Sequence, residues 1–228
     1  MNRLQTLFGG ALPQLVMFDM DGTLVDSVPD MAAAVDAMLA QLGRPPVGNA
    51  QVRNWVGNGS DVLVRRALAG GLDYSAVDDQ QAAEALQIML PIYGRSQALT
   101  EVYPGVRETL AWLREQGITM VLVTNKPGQF VEPLLRKKGL AEFFSGWLGG
   151  DSLPQKKPQP EPLLYSLKQA GVSAGQALFV GDSVNDVLAS RAAGVRCVAV
   201  SYGYNHGRPV AEEGADLVVD DLRELWQQ

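Results

Sequence analysis

The sequence predicts an α/β protein built on a doubly wound parallel sheet, with a helical segment inserted after the first strand. Short apolar runs recur along the chain and end in Asp, Gly, Ser or Thr, as strands buried on both faces do. Helical patterns lie between most of these runs and end at a glycine. Alternation of strands and helices in this way favours a doubly wound sheet.

Five apolar runs are predicted as strands, at residues 15–18, 119–123, 177–180, 197–200 and 217–219. Three helices are predicted between them, at residues 106–116, 161–170 and 184–193, and a glycine follows each one.

The interval from residue 27 to residue 96 contains no convincing strand. Apolar residues recur at helical spacing from Met31 to Leu42, and further helices are predicted at 60–68 and 79–93. A connection of this length usually forms a lid or a subdomain. We therefore expect an α/β catalytic core made of residues 1–26 and 97–228, and a helical cap made of residues 27–96.

The composition excludes several classes of function. The formal net charge of −6 disfavours a nucleic-acid partner, and the single cysteine allows no disulfide within the chain. No run of about 20 apolar residues could span a membrane. The single histidine excludes a multi-histidine metal site. We expect a cytoplasmic monomer or homodimer with no membrane partner.

Two carboxylates, Asp19 and Asp21, directly follow the first strand. In an open α/β sheet they can face the crevice beyond the carboxyl ends of the strands, where their repulsion requires a cation or a shared proton. The ordinary alternatives are a helix-capping turn and a calcium loop. The calcium loop fits badly because Leu24 stands where its glycine belongs.

Other polar residues follow the later strands. Asp182 and Asp186 come after the run 177–180, and Thr124 comes after the run 119–123. A lysine pair, Lys156 and Lys157, precedes a proline. Each feature alone could be a helix-terminal acid, a cap or a solvated surface. Together they supply a nucleophile, metal ligands and donors on one edge of the sheet, which is the inventory for phosphoryl transfer.

Four motifs in order resemble those of the haloacid dehalogenase superfamily: Asp19-x-Asp-Gly-Thr, Thr124, Lys157-Pro and Gly181-Asp-Ser-x-x-Asp186. The helical insert resembles that superfamily's α-helical cap, and the likeness spans nearly the whole chain. Further runs resemble the bacterial phosphoglycolate phosphatase family: Asp26-Ser-Val-Pro-Asp30, Trp55-Val-Gly-Asn-Gly-Ser60, Thr124-Asn-Lys126 and Lys157-Pro-Gln-Pro-Glu-Pro162.

The resemblance implies a Mg²⁺-dependent hydrolase of small phosphomonoesters, 2-phosphoglycolate above all. Asp19 would attack phosphorus and form an aspartyl phosphate, and Asp21 would act as general acid and base. Thr124 and Lys157 would contact the phosphoryl oxygens. The metal would be held by the Asp19 carboxylate, the Asp21 backbone carbonyl and Asp182.

The resemblance also implies supporting residues. Asp186 and Ser183 would orient the groups around the metal without binding it directly. Gly22, Thr23 and Asn125 would contact the substrate. The acid role requires Asp21 to carry a proton. We expect crowding with Asp19 and the apolar neighbours Phe18 and Met20 to favour the protonated form of the Asp21 carboxyl group.

The cap must recognise the rest of the substrate. Gly57, Asn58 and Gly59 could present backbone N–H groups to a carboxylate, and Arg53 or Arg65 could supply charge. The ordinary alternative for the glycine run is a turn between helices.

Other activities stay open at this point. A phosphatase for another small phosphomonoester, or a β-phosphoglucomutase-like phosphosugar mutase, would share all four motifs. A dehalogenase is disfavoured because halide leaves without a proton, so it has no need of Asp21. A phospho-receiver signalling domain needs neither that second carboxylate nor a long helical insert.

Overall fold

The computed structural model describes residues 1–95 and 97–227. Their strands are β1 Leu15–Phe18, β2 Val25–Asp26, β3 Glu101–Val102, β4 Thr119–Val123, β5 Gly146–Leu148, β6 Ala177–Gly181, β7 Arg196–Val200 and β8 Leu217–Val219. Their α-helices are α1 Arg3–Leu7, α2 Val28–Gln41, α3 Gly48–Trp55, α4 Ser60–Ala69, α5 Asp79–Arg95, α6 Val106–Glu115, α7 Val131–Lys137, α8 Glu161–Ala170 and α9 Val184–Ala193.

Six strands form one parallel sheet in the order β5-β4-β1-β6-β7-β8. The chain builds outward from β1 through β4 to β5, then crosses back and builds through β6 to β8. The strand order therefore reverses at β1 and β6, which creates a crevice beyond their carboxyl ends. The predicted fold class is confirmed.

Both faces of the sheet are covered, which explains the continuous apolar runs. In β1, Val16 and Phe18 point into the core shared with α6 and α7, while Leu15 and Met17 point into the core shared with α8 and α9. Successive strand side chains point to opposite faces, so a strand covered on both sides must be apolar throughout.

All five predicted strands are present, and β6 and β7 are each one residue longer than predicted. The edge strand β5 was not predicted because it is only three residues long and its side chains are half-buried. The helix α7 was also missed, since it has seven residues and carries a proline.

The interval between β2 and β3 holds the four helices α2 to α5, joined by loops, and its described residues contain no strand. The helices α2 to α5 pack around an apolar core distinct from the two cores of the sheet, and Phe130 and Tyr204 from loops after β4 and β7 complete it. The helix α3 was not predicted because only Val52 and Trp55 of its eight residues are buried. Its polar remainder gives a weak helical signal. The boundaries of 27 and 96 for this segment stay a prediction.

A two-stranded antiparallel ladder closes the base of the helical segment. It pairs Val25 with Val102 and Asp26 with Glu101, where the chain enters and leaves the helices. Just inside it, the buried Asp30 carboxylate accepts hydrogen bonds from the backbone N–H and hydroxyl of Thr100. These contacts fix the helical segment over one end of the sheet.

Within the described residues, no helix combines the length and the apolar character needed to cross a bilayer.

Candidate active site

The candidate site lies where the chain leaves the carboxyl ends of three neighbouring strands. Asp19 follows β1, Thr124 follows β4 and Asp182 follows β6. Because β1 lies between β4 and β6, the fold brings these three side chains together at the point where the strand order reverses.

Three carboxylates form a tight cluster there. Asp19, Asp182 and Asp186 each offer an oxygen atom, and these atoms lie within 4.8 Å of one another. Burial raises the pKa of Asp19 to about 6, against the opposing pull of Lys157, and burial also raises the pKa of Asp182 well above its usual range. Like charges packed this closely favour a bound cation.

Asp19 and Asp182 are suited to hold a metal ion. Asp19 Oδ1 is buried, forms an ion pair with the Lys157 ammonium at 2.9 Å and accepts no hydrogen bond from the described residues. Asp182 is fixed by the Thr23 hydroxyl at 2.6 Å and the Tyr204 backbone N–H at 2.7 Å. Paired carboxylate oxygens are the hard donors that Mg²⁺ prefers.

Asp186 is less suited to bind metal, although it lies in the same cluster. Its Oδ2 atom accepts hydrogen bonds from the backbone N–H groups of Asp182 and Ser183 and from the Ser183 hydroxyl. Its Oδ1 atom accepts one from Lys157 at 2.7 Å. With both oxygens engaged, Asp186 orders the turn before α9 and holds Lys157.

Lys157 is the lysine that reaches the cluster. Its buried ammonium lies 2.9 Å from Asp19 Oδ1 and 2.7 Å from Asp186 Oδ1. Burial lowers the pKa of Lys157, but the two carboxylates outweigh burial and raise it overall. Lys156 lies instead beside Gly59 of the helical segment, where an added Cβ would meet its ammonium at 3.0 Å.

Gly22 and Thr23 support Asp182. Gly22 has a φ of +92°, and a Cβ there would lie 2.2 Å from Asp182 Oδ2, so only glycine fits. The Thr23 hydroxyl bonds Asp182 Oδ1. Among the described residues, neither belongs to the lining of the cavity over the site. The expectation that they contact the substrate stays a prediction, and the contacts in the structure are those with Asp182.

That cavity lies between the strand ends and the helical segment, with a volume of about 550 Å³ including its open mouth. The sheet side contributes Asp19, Asp21, Thr124, Asn125 and Lys126. The helical side is mostly apolar and includes Met31, Leu63, Met89, Gly57 and Gly59. A concave cavity with polar groups on one wall is typical of small-molecule sites.

Asp21 has a different environment from the one expected. Its Oδ1 atom accepts hydrogen bonds from the Ser27 hydroxyl at 2.6 Å and from the Lys126 ammonium at 3.0 Å. The side chain thus contacts a hydroxyl and a cation, two partners that the neighbouring sequence did not indicate.

Lys126 is the site residue that the sequence reasoning did not assign. Its side chain is buried, and its ammonium also contacts the Tyr93 hydroxyl, with the ring centroid 4.6 Å away. Burial lowers the pKa of Lys126, but Asp21 and Tyr93 raise it overall. Its position directly after Thr124-Asn125 was the only sequence signal.

Asn125 joins the loop after β4 to two other loops. Its side-chain amide donates to the Gly57 carbonyl at 3.0 Å and to the Lys157 carbonyl at 2.8 Å. Its Oδ1 atom is buried and accepts no hydrogen bond from the described residues. Asn125 lines the cavity, as expected for a residue that contacts the substrate.

The loop between α3 and α4 is docked onto the sheet domain. The Gly57 carbonyl also accepts a hydrogen bond from Asn185, and Asn58 donates to Asn185 Oδ1 at 3.3 Å. Gly57 and Gly59 line the cavity, whereas Asn58 is not part of the described lining. The contact that the structure gives Asn58 joins the loop to α9, and its expected contact with the substrate stays a prediction.

The two arginines proposed to supply charge, Arg53 and Arg65, are paired with carboxylates. The Arg53 guanidinium lies 2.8 Å from Asp26 and 4.8 Å from the centre of the Tyr204 ring. Arg65 lies 2.9 Å from Asp79 on the helical segment. Neither belongs to the described cavity lining, so the geometry does not favour the prediction that one of them supplies charge to the substrate.

Comparisons with known proteins agree with this geometry. The family model of a haloacid dehalogenase-like hydrolase matches residues 13–194. A relative from Pseudomonas fluorescens (strain Pf0-1), named phosphoglycolate phosphatase, is 60% identical over 99% of this chain and 83% of its own length. Another from Pseudomonas aeruginosa, named phosphoglycolate phosphatase 1, is 56% identical with the same coverage.

A crystal structure from Haemophilus somnus, described as a predicted phosphoglycolate phosphatase, superposes with a TM-score of 0.86 at 38% identity. The match covers 92% of this chain and 94% of that one. The family model, the extent of the matches and their identity together show that this chain belongs to the haloacid dehalogenase-like hydrolases.

Proposed function

We propose that the chain is a Mg²⁺-dependent phosphatase that hydrolyses 2-phosphoglycolate to glycolate and phosphate through an aspartyl phosphate on Asp19. The observation that carries the proposal is the buried Asp19 carboxylate, whose Oδ1 atom accepts no hydrogen bond from the described residues. Asp19 lines the cavity together with a second carboxylate, Asp21. The names of the relatives support this substrate.

The metal would be held by the Asp19 and Asp182 carboxylates and by the Asp21 backbone carbonyl. When bound, it would neutralise phosphoryl oxygens and offset the carboxylate charges. Asp186 would not bind the metal directly, and its hydrogen bond from the Lys157 ammonium fixes the orientation of that lysine.

The reaction proceeds in two displacements. An Asp19 oxygen forms a bond to phosphorus while the bond to the substrate's ester oxygen breaks, and Asp21 gives its proton to that oxygen. Asp21 then takes a proton from a water molecule, whose oxygen attacks phosphorus and releases phosphate and the free Asp19 carboxylate. The Lys157 ammonium beside Asp19 stabilises the developing negative charge.

Thr124 is poised to contact the phosphoryl group. Its Oγ1 atom accepts a hydrogen bond from the Lys126 backbone N–H at 3.2 Å. Its own proton is therefore available for a phosphoryl oxygen.

The helical segment closes the cavity over these groups. Apolar side chains such as Met31, Leu63 and Met89 exclude water and limit the size of the group attached to the phosphate. A two-carbon acid is small enough for this volume of about 550 Å³.

The test is a phosphate-release screen over small phosphomonoesters, with Mg²⁺ or with EDTA. We expect 2-phosphoglycolate to give the highest kcat/KM, EDTA to abolish turnover and Asp19→Asn to be inactive while folded. Full activity of Asp19→Asn, or no release from any ester, would refute the proposal. A requirement for a sugar bisphosphate primer would indicate a mutase, and a long-lived phosphoprotein would indicate a receiver domain.

A further inference from the structure

One buried cation lies in the cavity without a role in the phosphoryl chemistry described above. Lys126 lines the cavity beside Asp19 and Asp21, and its residue is 4% exposed. The charge near the phosphoryl group is already supplied by Lys157, which is held between Asp19 and Asp186. Removing an ammonium from water costs free energy unless its charge has partners, so the buried position of Lys126 must have a structural or functional reason.

The position of Lys126 is defined by Asp21. Its ammonium lies 3.0 Å from Asp21 Oδ1 and 3.2 Å from Oδ2. In the proposed reaction Asp21 contacts the ester oxygen of the substrate in order to protonate it. A group that contacts Asp21 therefore lies beside the atoms attached to that ester oxygen. In 2-phosphoglycolate, the carboxylate carbon is two bonds away from it.

The charges of the side chains that line the cavity also favour a carboxylate as the bound group. Among the described residues that line it, Lys126 carries the only cationic side chain. Arg53 and Arg65 are paired with Asp26 and Asp79 outside this lining. A substrate carboxylate that entered a largely apolar pocket would need a charged donor, because an unpaired buried charge is costly.

Tyr93 adds a second donor. Its hydroxyl oxygen accepts a hydrogen bond from the Lys126 ammonium, and its own proton is left to donate. Its ring is held edge-on against Phe130 with the centroids 5.1 Å apart. The three N–H groups of the ammonium donate to both Asp21 oxygens and to Tyr93, so a ligand carboxylate would take the place of the longer contact, the one to Asp21 Oδ2 at 3.2 Å.

We propose that Lys126 and Tyr93 form the subsite that binds the carboxylate of the substrate, next to the ester oxygen. The proposal rests on the proposed function and replaces Arg53 and Arg65 as the source of charge. It makes Lys126 a specificity-determining residue for phosphomonoesters whose leaving alcohol carries an acid group. The contact with Asp21 also holds the acid/base carboxylate at the ester oxygen.

The experiment compares 2-phosphoglycolate with ethyl phosphate, which has a methyl group in place of the carboxylate. Steady-state kcat and KM are measured for the wild type, Lys126→Met, Lys126→Arg and Tyr93→Phe. The matched control is Lys156→Met, which removes a nearby lysine outside the described lining. Far-ultraviolet circular dichroism and Tm confirm that each variant is folded.

We expect Lys126→Met to lower the ratio of kcat/KM for 2-phosphoglycolate over ethyl phosphate on the order of 10²-fold, mainly through KM. Tyr93→Phe should lower the same ratio about 3-fold to 10-fold, because it removes one hydrogen bond. Lys126→Arg should retain part of the preference, and Lys156→Met should leave it unchanged.

A parallel loss on both substrates with an unchanged ratio would show that Lys126 acts only through Asp21, and would overturn the proposal. An unchanged ratio in a folded Tyr93→Phe variant would remove Tyr93 from the subsite, even if Lys126→Met fails to fold. If the wild type releases phosphate from both esters equally well, the subsite proposal fails while the phosphatase stands. If it releases phosphate from neither, the proposed function itself fails.

Discussion

Lys156 and Lys157 are adjacent in the chain, yet only Lys157 reaches Asp19. The sequence favoured Lys157 because it directly precedes Pro158, and the fold places its ammonium between Asp19 and Asp186. Lys126 could not be assigned in the same way. Its contacts come from Asp21 and Tyr93, which are distant in sequence and meet it only when the cavity is formed.

At the scale of single residues, Lys157 and Lys156 provide a test variant and its matched control. We expect Lys157→Ala to lower kcat with 2-phosphoglycolate on the order of 10²–10³-fold, because it removes a donor beside the reacting carboxylate. Lys156→Ala should stay near the wild-type rate. Equal losses in both variants, measured by phosphate release at saturating substrate, would be inconsistent with the role given to Lys157.

The pH dependence of metal binding follows from Asp19. The pKa of Asp19 is about 6 in the fold and about 3.9 in an unfolded chain. Without metal, the contribution of Asp19 to the free energy of unfolding therefore falls as pH rises from about 3.9 to about 6. A metal reverses the effect, but protons compete with it below about pH 6. We expect Mg²⁺ to raise Tm more at pH 7.5 than at pH 5, and EDTA to remove the difference.

Differential scanning fluorimetry of the wild type and Asp182→Asn checks this. The variant lacks one of the proposed ligands and should lose most of the Mg²⁺-dependent rise in Tm at pH 7.5. An equal rise at both pH values would contradict the assignment of the metal to these carboxylates.

At the scale of elements, the loop between α3 and α4 links the helical segment to the sheet. Sequence patterns located α4 and α5 but not α3, because only two of its residues are buried. They also placed Asn58 toward the substrate, whereas it contacts Asn185 on α9. A turn between helices carries no periodic signal, so the direction of its side chains could not be predicted.

We therefore expect Asn58→Ala to act on docking of the loop and not on selectivity. Loss of one hydrogen bond should raise KM about 2-fold to 10-fold, and by the same factor for 2-phosphoglycolate and ethyl phosphate. Kinetics on the two esters provides the measurement. A selective loss on 2-phosphoglycolate would return Asn58 to the substrate subsite.

At the scale of the whole molecule, the strand order brings together residues that lie far apart in the chain. β1 lies between β4 and β6, so Asp19, Thr124 and Asp182 meet at one edge. Apolar runs and helix-ending glycines predicted that these residues share one edge of the sheet, because parallel strands buried on both faces leave a strong signal. The strand order itself was not predicted, and short elements such as β5 left no signal. The direction of the arginine side chains could not be predicted, because charge alone does not fix it.

The claim on which the mechanism depends is that phosphorus becomes attached to Asp19. The most direct measurement uses Asp21→Asn, which lacks the general base for the second step, with p-nitrophenyl phosphate, whose leaving group needs no proton. Acid quenching and peptide mass spectrometry should find one phosphoryl group on Asp19 in the presence of Mg²⁺. Phosphorylation of another residue, or phosphate release with no modified peptide at any time point, would contradict the account.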